Sequence, residues 1–345
     1  MAVTLGDVAR HAGVSLATAS RALNGSARSV TEELSAKVRA SAEALGYLPN
    51  APAQALARST GSTIGVLLHD VADPYFGGIA RGVGDAAARA GLLSLVVSTD
   101  GDPRRELEAI RTLHAHRARA IVLAGSAYTD FAARRQLDEA LAVYQEQGGR
   151  VVAITEHGVE YDTVDVHNES GATSLTYALQ QLGHRRFAVI TGPERMQVAV
   201  DRLDGVLTGL RQTGLELAEG MLQRAEFTRE GGQAAMARIL DVARESGTPL
   251  PTAVIALSDI CAAGALAELR ARGIAVPGEI SVAGFDDIPL ATDLAPALST
   301  VRLPLVAMGE SAVRLALREP GARRDVSEAF AEVVLRDSTA APRVD

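Results

Sequence analysis

Residues 4–24, TLGDVARHAGVSLATASRALN, hold two short segments of helical spacing joined by a glycine, and that arrangement leaves few folds open. Leu5, Val8, Ala9 and Ala12 recur at the helical period and predict one buried face. Gly13 permits the left-handed backbone of a sharp turn. Ser15 then stands where its hydroxyl can accept from the free N–H groups of a second helix over residues 16–23, with Ala19, Ala22 and Leu23 facing inward. The outer face keeps Leu16, Ala17, Thr18, Ser20, Arg21 and Asn24. These residue types suit a DNA major groove: arginine forks onto guanine, hydroxyls and amides reach phosphate oxygens, and apolar groups touch thymine methyls. An ordinary helical hairpin would share the inner face, so the outer face and the rest of the chain carry the DNA-reading interpretation.

Thr31 is expected to cap a third helix, with Glu32 and Glu33 in the first turn and Gly46 ending it after Leu45. Leu34, Val38, Ala42 and Leu45 would line its buried face. In LGYLPNAPAQALARSTGS, Asn50 can cap a very short helix running to about Arg58, with Pro52 in its first turn, and residues 59–62 read as a linker. The chain of 345 residues carries net charge −8, unevenly divided: residues 1–60 sum to +2 and the remainder to −10. A basic head on an acidic body can dock one end on DNA while the body is repelled.

From residue 62 onward strand-length apolar runs alternate with helical stretches. The runs fall at residues 64–68, 93–97, 120–123, 151–154, 187–190, 253–256 and 281–285, the pattern of parallel sheets built from strand-helix-strand units. Two similar lobes are expected, meeting near residues 155–162, with the chain recrossing near 289–295 and near Asp325. No apolar run reaches membrane-spanning length, and the start lacks a secretory pattern, so a cytoplasmic location is expected. The single cysteine, Cys261, has Ile260, Ala262 and Ala263 beside it and reads as a small buried hydrophobe.

Together these segments resemble the lactose-repressor (LacI/GalR) family of transcription factors. The pieces that carry the resemblance are the first 21-residue motif, LGYLPNAPAQALA, IGVLLHDVADPYF, LGHRRFAVITGP, DRLDG, PTAVIALSD, ISVAGFDDIPLA and LRDST. It implies an all-α helix-turn-helix head on an α/β body with two doubly wound parallel-sheet lobes, periplasmic-binding-protein-like type I. The expected domains are a head over residues 1–48, a hinge helix and linker over 49–62, and an effector-binding and dimerisation body over 63–345. Lobe 1 would take about 63–160 and 293–324, and lobe 2 about 161–292 and 325–340. The function implied is repression of transcription by a homodimer on a palindromic double-stranded operator, with a sugar or nucleoside-like effector and no cofactor, metal or membrane.

By the same resemblance, Leu16 and Ala17 fall at the variable base-reading positions and Arg21 at the usual arginine contact. Thr4, Ser15, Thr18, Ser20, Asn24 and Tyr47 match backbone-contacting positions, and Asn50, Ala53 and Leu56 belong to the hinge helix, with Leu56 as a minor-groove wedge. The effector site implied lies between the lobes, beyond the carboxyl ends of the strands. Asp286 matches a ligand-hydroxyl acceptor and Arg202 a ligand-binding arginine. Tyr75, Phe76 and Phe227 would supply aromatic walls, and Ser126, Gln197, Ser258 and Asp259 lie at matching loop positions. Ser258 departs from the asparagine of many sugar-responsive members, and Met196 and Gln197 depart from the polar set of purine-responsive ones.

Other chemistries fit less well. Gly82 and Gly84 come more than ten residues after their strand and within a helical pattern, too late for a dinucleotide-binding turn. His114 and His116 have no neighbouring ligand set, and adjacent Asp286 and Asp287 would point apart rather than act as paired catalysts. A transport solute-binding protein would have no use for residues 1–58, and an enzyme would need a nucleophile, metal set or phosphate loop. The chain ends at DSTAAPRVD without an apolar heptad helix, so a dimer is the expected assembly, using parts of residues 73–91 and the stretch after Pro304.

Overall fold

The computed structural model describes residues 3–24, 30–47, 61–155, 157, 161–319 and 323–343. The chain forms two compact units, residues 1–62 and 63–345. In the first, α1 (Leu5–Ala12), α2 (Leu16–Asn24) and α3 (Glu32–Ala44) enclose Val8, Ala9, Ala12, Ala19, Val38 and Ala42. Thr4 and Asp7 cap α1 reciprocally: Asp7 N donates to Thr4 Oγ1 at 3.3 Å and Thr4 N to Asp7 Oδ2 at 3.0 Å. Gly13 takes φ +64°, and Ser15 Oγ accepts from Thr18 N at 3.0 Å, opening α2 as its sequence requires. α3 departs from expectation in its first turn. Thr31 makes no side-chain cap, Leu34 is exposed, and the buried stripe runs through Val38, Ser41 and Ala42. The hinge helix, with Asn50, Ala53 and Leu56, lies outside the described residues.

The second unit is built on parallel sheets. The first runs in the order β11-β5-β4-β3-β1-β2. Its strands are β1 (Thr63–Leu68), β2 (Leu93–Ser98), β3 (Ala120–Leu123), β4 (Arg150–Ile154), β5 (Asp162–Asp165) and β11 (Val326–Glu328). The second, in the order β7-β6-β8-β9, takes β6 (Phe187–Thr191), β7 (Leu222–Arg224), β8 (Ala253–Ala256) and β9 (Ser281–Ala283). An antiparallel pair, β10 (Thr300–Arg302) with β12 (Glu332–Val334), continues from β9 through the bridges Ala283–Ser299 and Asp286–Arg302.

Helices cover both faces, which explains why central strands are apolar throughout rather than alternating. In β1, Ile64, Val66 and Leu68 join the cluster holding α4 (Pro74–Arg89) and α12 (Leu305–Ala316), which follows the one-turn α11 (Leu290–Asp293) in the chain. Leu67 faces α5 (Pro103–Ala115) and α6 (Phe131–Glu146) on the other side. The second sheet is sandwiched likewise between α7 (Asn168–Gln181) with α8 (Gln197–Arg211) and α9 (Arg229–Ser246) with α10 (Asp259–Ala271). Edge strand β2 is different. It pairs only with β1, and Leu93, Leu95 and Val96 are exposed.

The lobe boundaries differ from those expected. β5 and β11, placed by sequence in the second lobe, both belong to the first sheet, where Val152 pairs with Asp162 and Glu328 with Asp165. The crossings therefore fall at residues 166–167, 303–304 and 329–331 rather than near 161, 293 and 325. The reason is that DTVD is four residues long and half acidic, so no apolar run marks it as a strand.

Candidate functional site

On the outer side of α2, Leu16, Ala17 and Arg21 are exposed, Thr18 and Ser20 are half-buried, and Ala19 is fully buried against the head. The helix thus sorts its residues as its period demands, and Arg21 stands in solvent on the face opposite the core. Ser15 and Thr18 also bond to each other, Oγ to Oγ1 at 2.8 Å, so two expected phosphate contacts first serve to start the helix. Tyr47 packs partly against the head core, and Asn24 ends α2.

In the body, both sheets reverse strand order beside their first strand, at β1/β3 and at β6/β8. Such switch points open a crevice beyond the carboxyl ends of the strands. A cavity of about 300 Å³ lies there, where loops from both sheets face one another. His69 and Asp70 enter it after β1, Asp100 after β2, Ser126 after β3 and Thr155 after β4. From the other lobe come Arg195 and Met196 after β6, Glu226 and Phe227 after β7, Ser258 after β8 and Asp286 after β9. Tyr75 and Phe76, in the first turn of α4, complete an aromatic wall, their ring centroids 4.9 Å apart and edge to face.

Asp286 and Arg202 form the charged centre. Arg202 Nη2 lies 2.8 Å from Asp286 Oδ1, its Nε donates to Asn168 Oδ1 at 2.9 Å, and its Nη1 to the Leu257 carbonyl at 2.8 Å. The guanidinium sits 3.9 Å above the ring of Phe285. Burial pushes the Asp286 carboxyl up to about 7, against the opposing pull of Arg202. Its backbone is strained: φ is +115°, held by Asp286 N donating to Val301 O at 2.8 Å. The neighbouring Asp287 turns away and binds Arg302 and Arg336, each at 2.7 Å, so the two carboxylates do point apart.

The lobes also meet along one flank of the cavity. Ser126 Oγ accepts from Val198 N at 3.0 Å, in the first turn of α8, so a hydroxyl from the first lobe caps a helix of the second. Gln197 N donates to Ala127 O at 2.9 Å and Thr129 N to Arg195 O at 3.0 Å. Thr129 Oγ1 adds a bond to Glu194 O at 2.8 Å.

Of the residues expected at the effector site, Tyr75, Phe76, Ser126, Arg202, Phe227, Ser258 and Asp286 line this cavity together. Gln197 and Asp259 do not. The Gln197 side chain donates along its own helix to Asp201 Oδ1 at 2.7 Å. Asp259 is buried and accepts from Thr300 Oγ1 at 2.6 Å and Ile288 N at 2.9 Å, pinning the loop after β9. His69, Asp70, Asp73, Asp100, Arg195 and Glu226 were not anticipated, although each follows shortly after a strand and position alone could have flagged them. Cys261 is buried, with its thiol pushed up to about 11 by burial, in keeping with a packing role.

Comparison with known proteins agrees with both units. A model of "Bacterial regulatory proteins, lacI family" matches residues 4–50, and one of a "Periplasmic binding protein-like domain" matches residues 176–339. The HTH-type transcriptional regulator GalS of Salmonella typhimurium is 36% identical over 328 residues, which cover 94% of this chain and 92% of the relative. The chain belongs to the lacI family of bacterial regulatory proteins. As a lacI-family member it is a helix-turn-helix transcriptional regulator with a periplasmic-binding-protein-like body. Among solved structures, a transcriptional regulator CelR–cellobiose complex is 29% identical with TM-score 0.70, covering 97% of this chain and 99% of that one. The lac repressor dimer bound to operator and the anti-inducer ONPF shares the fold at 23% identity and TM-score 0.84, covering 99% and 100%. No helix among the described residues is long and apolar enough to cross a membrane.

Proposed function

We propose that this lacI-family regulator represses transcription as a homodimer on a palindromic operator, with a small effector in the interlobe cavity setting its grip. The observation that carries the reading is the pairing of two features on one chain. One unit displays an exposed helix face with Arg21, and the other encloses a ligand-sized cavity at paired switch points. Arg21 is the base reader, forking onto a guanine in each half-site, while Leu16 and Ala17 add apolar selection. Thr4, Ser15, Thr18, Ser20, Asn24 and Tyr47 orient the head on the phosphates.

The dimer joins through the first lobe. Leu93, Leu95 and Val96 on the β2 edge and Val306 on α12 are exposed apolar side chains, which supports burial against a second copy. The effector is held by Asp286, Arg202 and the aromatic wall. Its action is a shift between lobe arrangements, limited by its differential affinity for them. The reading involves binding alone, with no catalytic step and no cofactor, in the cytoplasm where operator DNA lies.

Gel-shift titration against selected palindromic DNA tests the proposal. Arg21→Ala should weaken operator binding by about 1–3 kcal/mol while leaving binding to scrambled DNA nearly unchanged. A variant that discriminates as well as the parent contradicts the assignment.

A further inference from the structure

We infer that Asp165, His167 and Glu328 form a binding site for a divalent transition-metal ion of the zinc class, at the place where the chain passes between the lobes. One imidazole nitrogen and one oxygen from each carboxylate lie within 4.8 Å of one another. Zinc bonds of about 2.0–2.2 Å at tetrahedral angles need donors roughly 3.3–3.6 Å apart. His167 Nε2 lies 2.5 Å from Glu328 Oε2, and Nδ1 lies 3.8 Å from Asp165 Oδ2. Modest side-chain rotation brings the three donors to the required spacing.

Charge calls for a cation here. β5 and β11 run parallel, and Asp165 stands directly in register with Glu328. Residues opposite each other on neighbouring strands share a face, and like charges so placed repel. Among the described residues neither carboxylate forms an ion pair with lysine or arginine, and the His167 ring is the partner of both. A neutral imidazole joins two carboxylates without cancelling their charge, whereas a doubly charged ion cancels it and bonds all three groups.

The donors are already oriented and open. Phe330 stacks on the His167 ring at 5.3 Å with the planes 8° apart, and Asp165 Oδ1 accepts from His167 N at 3.0 Å, leaving Oδ2 toward the ring. Surroundings of this kind fix metal-binding imidazoles in place. The His167, Asp165 and Glu328 side chains are 31%, 44% and 47% exposed, so an ion reaches them without lobe movement. A polar groove of about 550 Å³, lined by Asp165, His167, Glu169, Ser170 and Asp201 among others, borders the site and has room for the waters that complete the ion's shell. An imidazole donor favours zinc or nickel over magnesium and calcium, which take oxygen ligands. Bound there, the ion ties the ends of β5 and β11 to the residue that opens α7, at two neighbouring crossings between the lobes.

The test is calorimetric titration of the chelator-stripped full-length protein with zinc, nickel and magnesium chlorides. Zinc should bind saturably at one site per chain, and magnesium roughly 100-fold more weakly or not at all. His167→Asn, which accepts the left-handed backbone at φ +53°, and Glu328→Gln, which keeps the side-chain shape, should each weaken zinc roughly 10-fold or more. His116→Gln, at the end of α5, should bind like the parent. Zinc should raise the melting temperature of the parent and of this control but not of the two site variants. Melting in chelator shows which variants fold, and either one that folds decides the point. A parent without saturable zinc binding, a folded site variant that binds zinc as tightly as the parent, or magnesium that matches zinc overturns the site.

Discussion

Arg202 Nη2 and Asp286 Oδ1 meet at 2.8 Å with both side chains under a tenth exposed, joining α8 to the loop after β9 at the cavity floor. Removing the arginine would strand a buried carboxyl beside Asp259 and Asp73. Arg202→Ala should cost about 3–5 kcal/mol in urea unfolding, and Asp286→Asn, which keeps the shape and removes the charge, considerably less. A loss for Arg202→Ala no larger than that of a surface substitution, about 0.5 kcal/mol, would show the pair to be dispensable.

Glu106 offers a cleaner test of buried charge, away from the cavity's ligand groups. It is buried, with Tyr128 OH donating to Oε2 at 2.8 Å, and burial pushes its carboxyl from 4.5 up to about 7. The folded protein keeps a proton that the unfolded chain releases. Its stabilising effect is therefore complete below about pH 4 and is lost as pH rises through about 7. Relative to Glu106→Gln, the wild type should lose up to about 3 kcal/mol across that window. His69 acts in the opposite direction. Its folded pKa, pushed down to about 4 from 6.5, means stability is lost as pH falls through that range. A pH-independent difference between wild type and Glu106→Gln, measured by denaturant melts, would refute the assignment.

Gly82 and Gly84 share a helix and should respond oppositely to alanine. At Gly82 a Cβ would meet the Val306 carbonyl at 2.0 Å, because α4 and α12 touch backbone to backbone there. At Gly84 the nearest atom would be Ser94 Oγ at 3.7 Å. Gly82→Ala should destabilise by about 1–3 kcal/mol, and Gly84→Ala should be neutral or stabilise by about 0.5–1 kcal/mol. Similar melting temperatures for the two variants would contradict this packing.

Leu95, 41% exposed in the middle of the β2 edge, tests the dimer. Leu95→Glu places a charge in the proposed interface and should shift light-scattering mass toward the monomer while leaving the circular dichroism of the body intact. An unchanged dimer would move the interface elsewhere.

Much of this architecture was legible because its physical signals are local. Gly13 and Ser15 mark a turn and a cap whatever surrounds them, and the buried strands β1, β3 and β8 stand out as unbroken apolar runs. β5 escaped because its two core residues, Thr163 and Val164, lie between acids, and only pairing with β4 makes them a strand. The cavity divides in the same manner. Arg202 and Asp286 were readable through motif resemblance, whereas His69 fits at the cavity wall only because a distant residue, Gly125, has no side chain to meet its ring. Asp259, equally plausible by position, is consumed by Thr300 and Ile288, partners supplied by later segments of the chain.

Ser126 and its neighbours bind the second lobe through backbone amides, and so a change in lobe arrangement that opens this flank must break those bonds. The strength of those bonds then helps set how quickly the lobes exchange arrangements once the cavity empties. The delay between disappearance of the signal and recovery of the original state is a property of the protein, and loosening the Ser126 cap would shorten that memory.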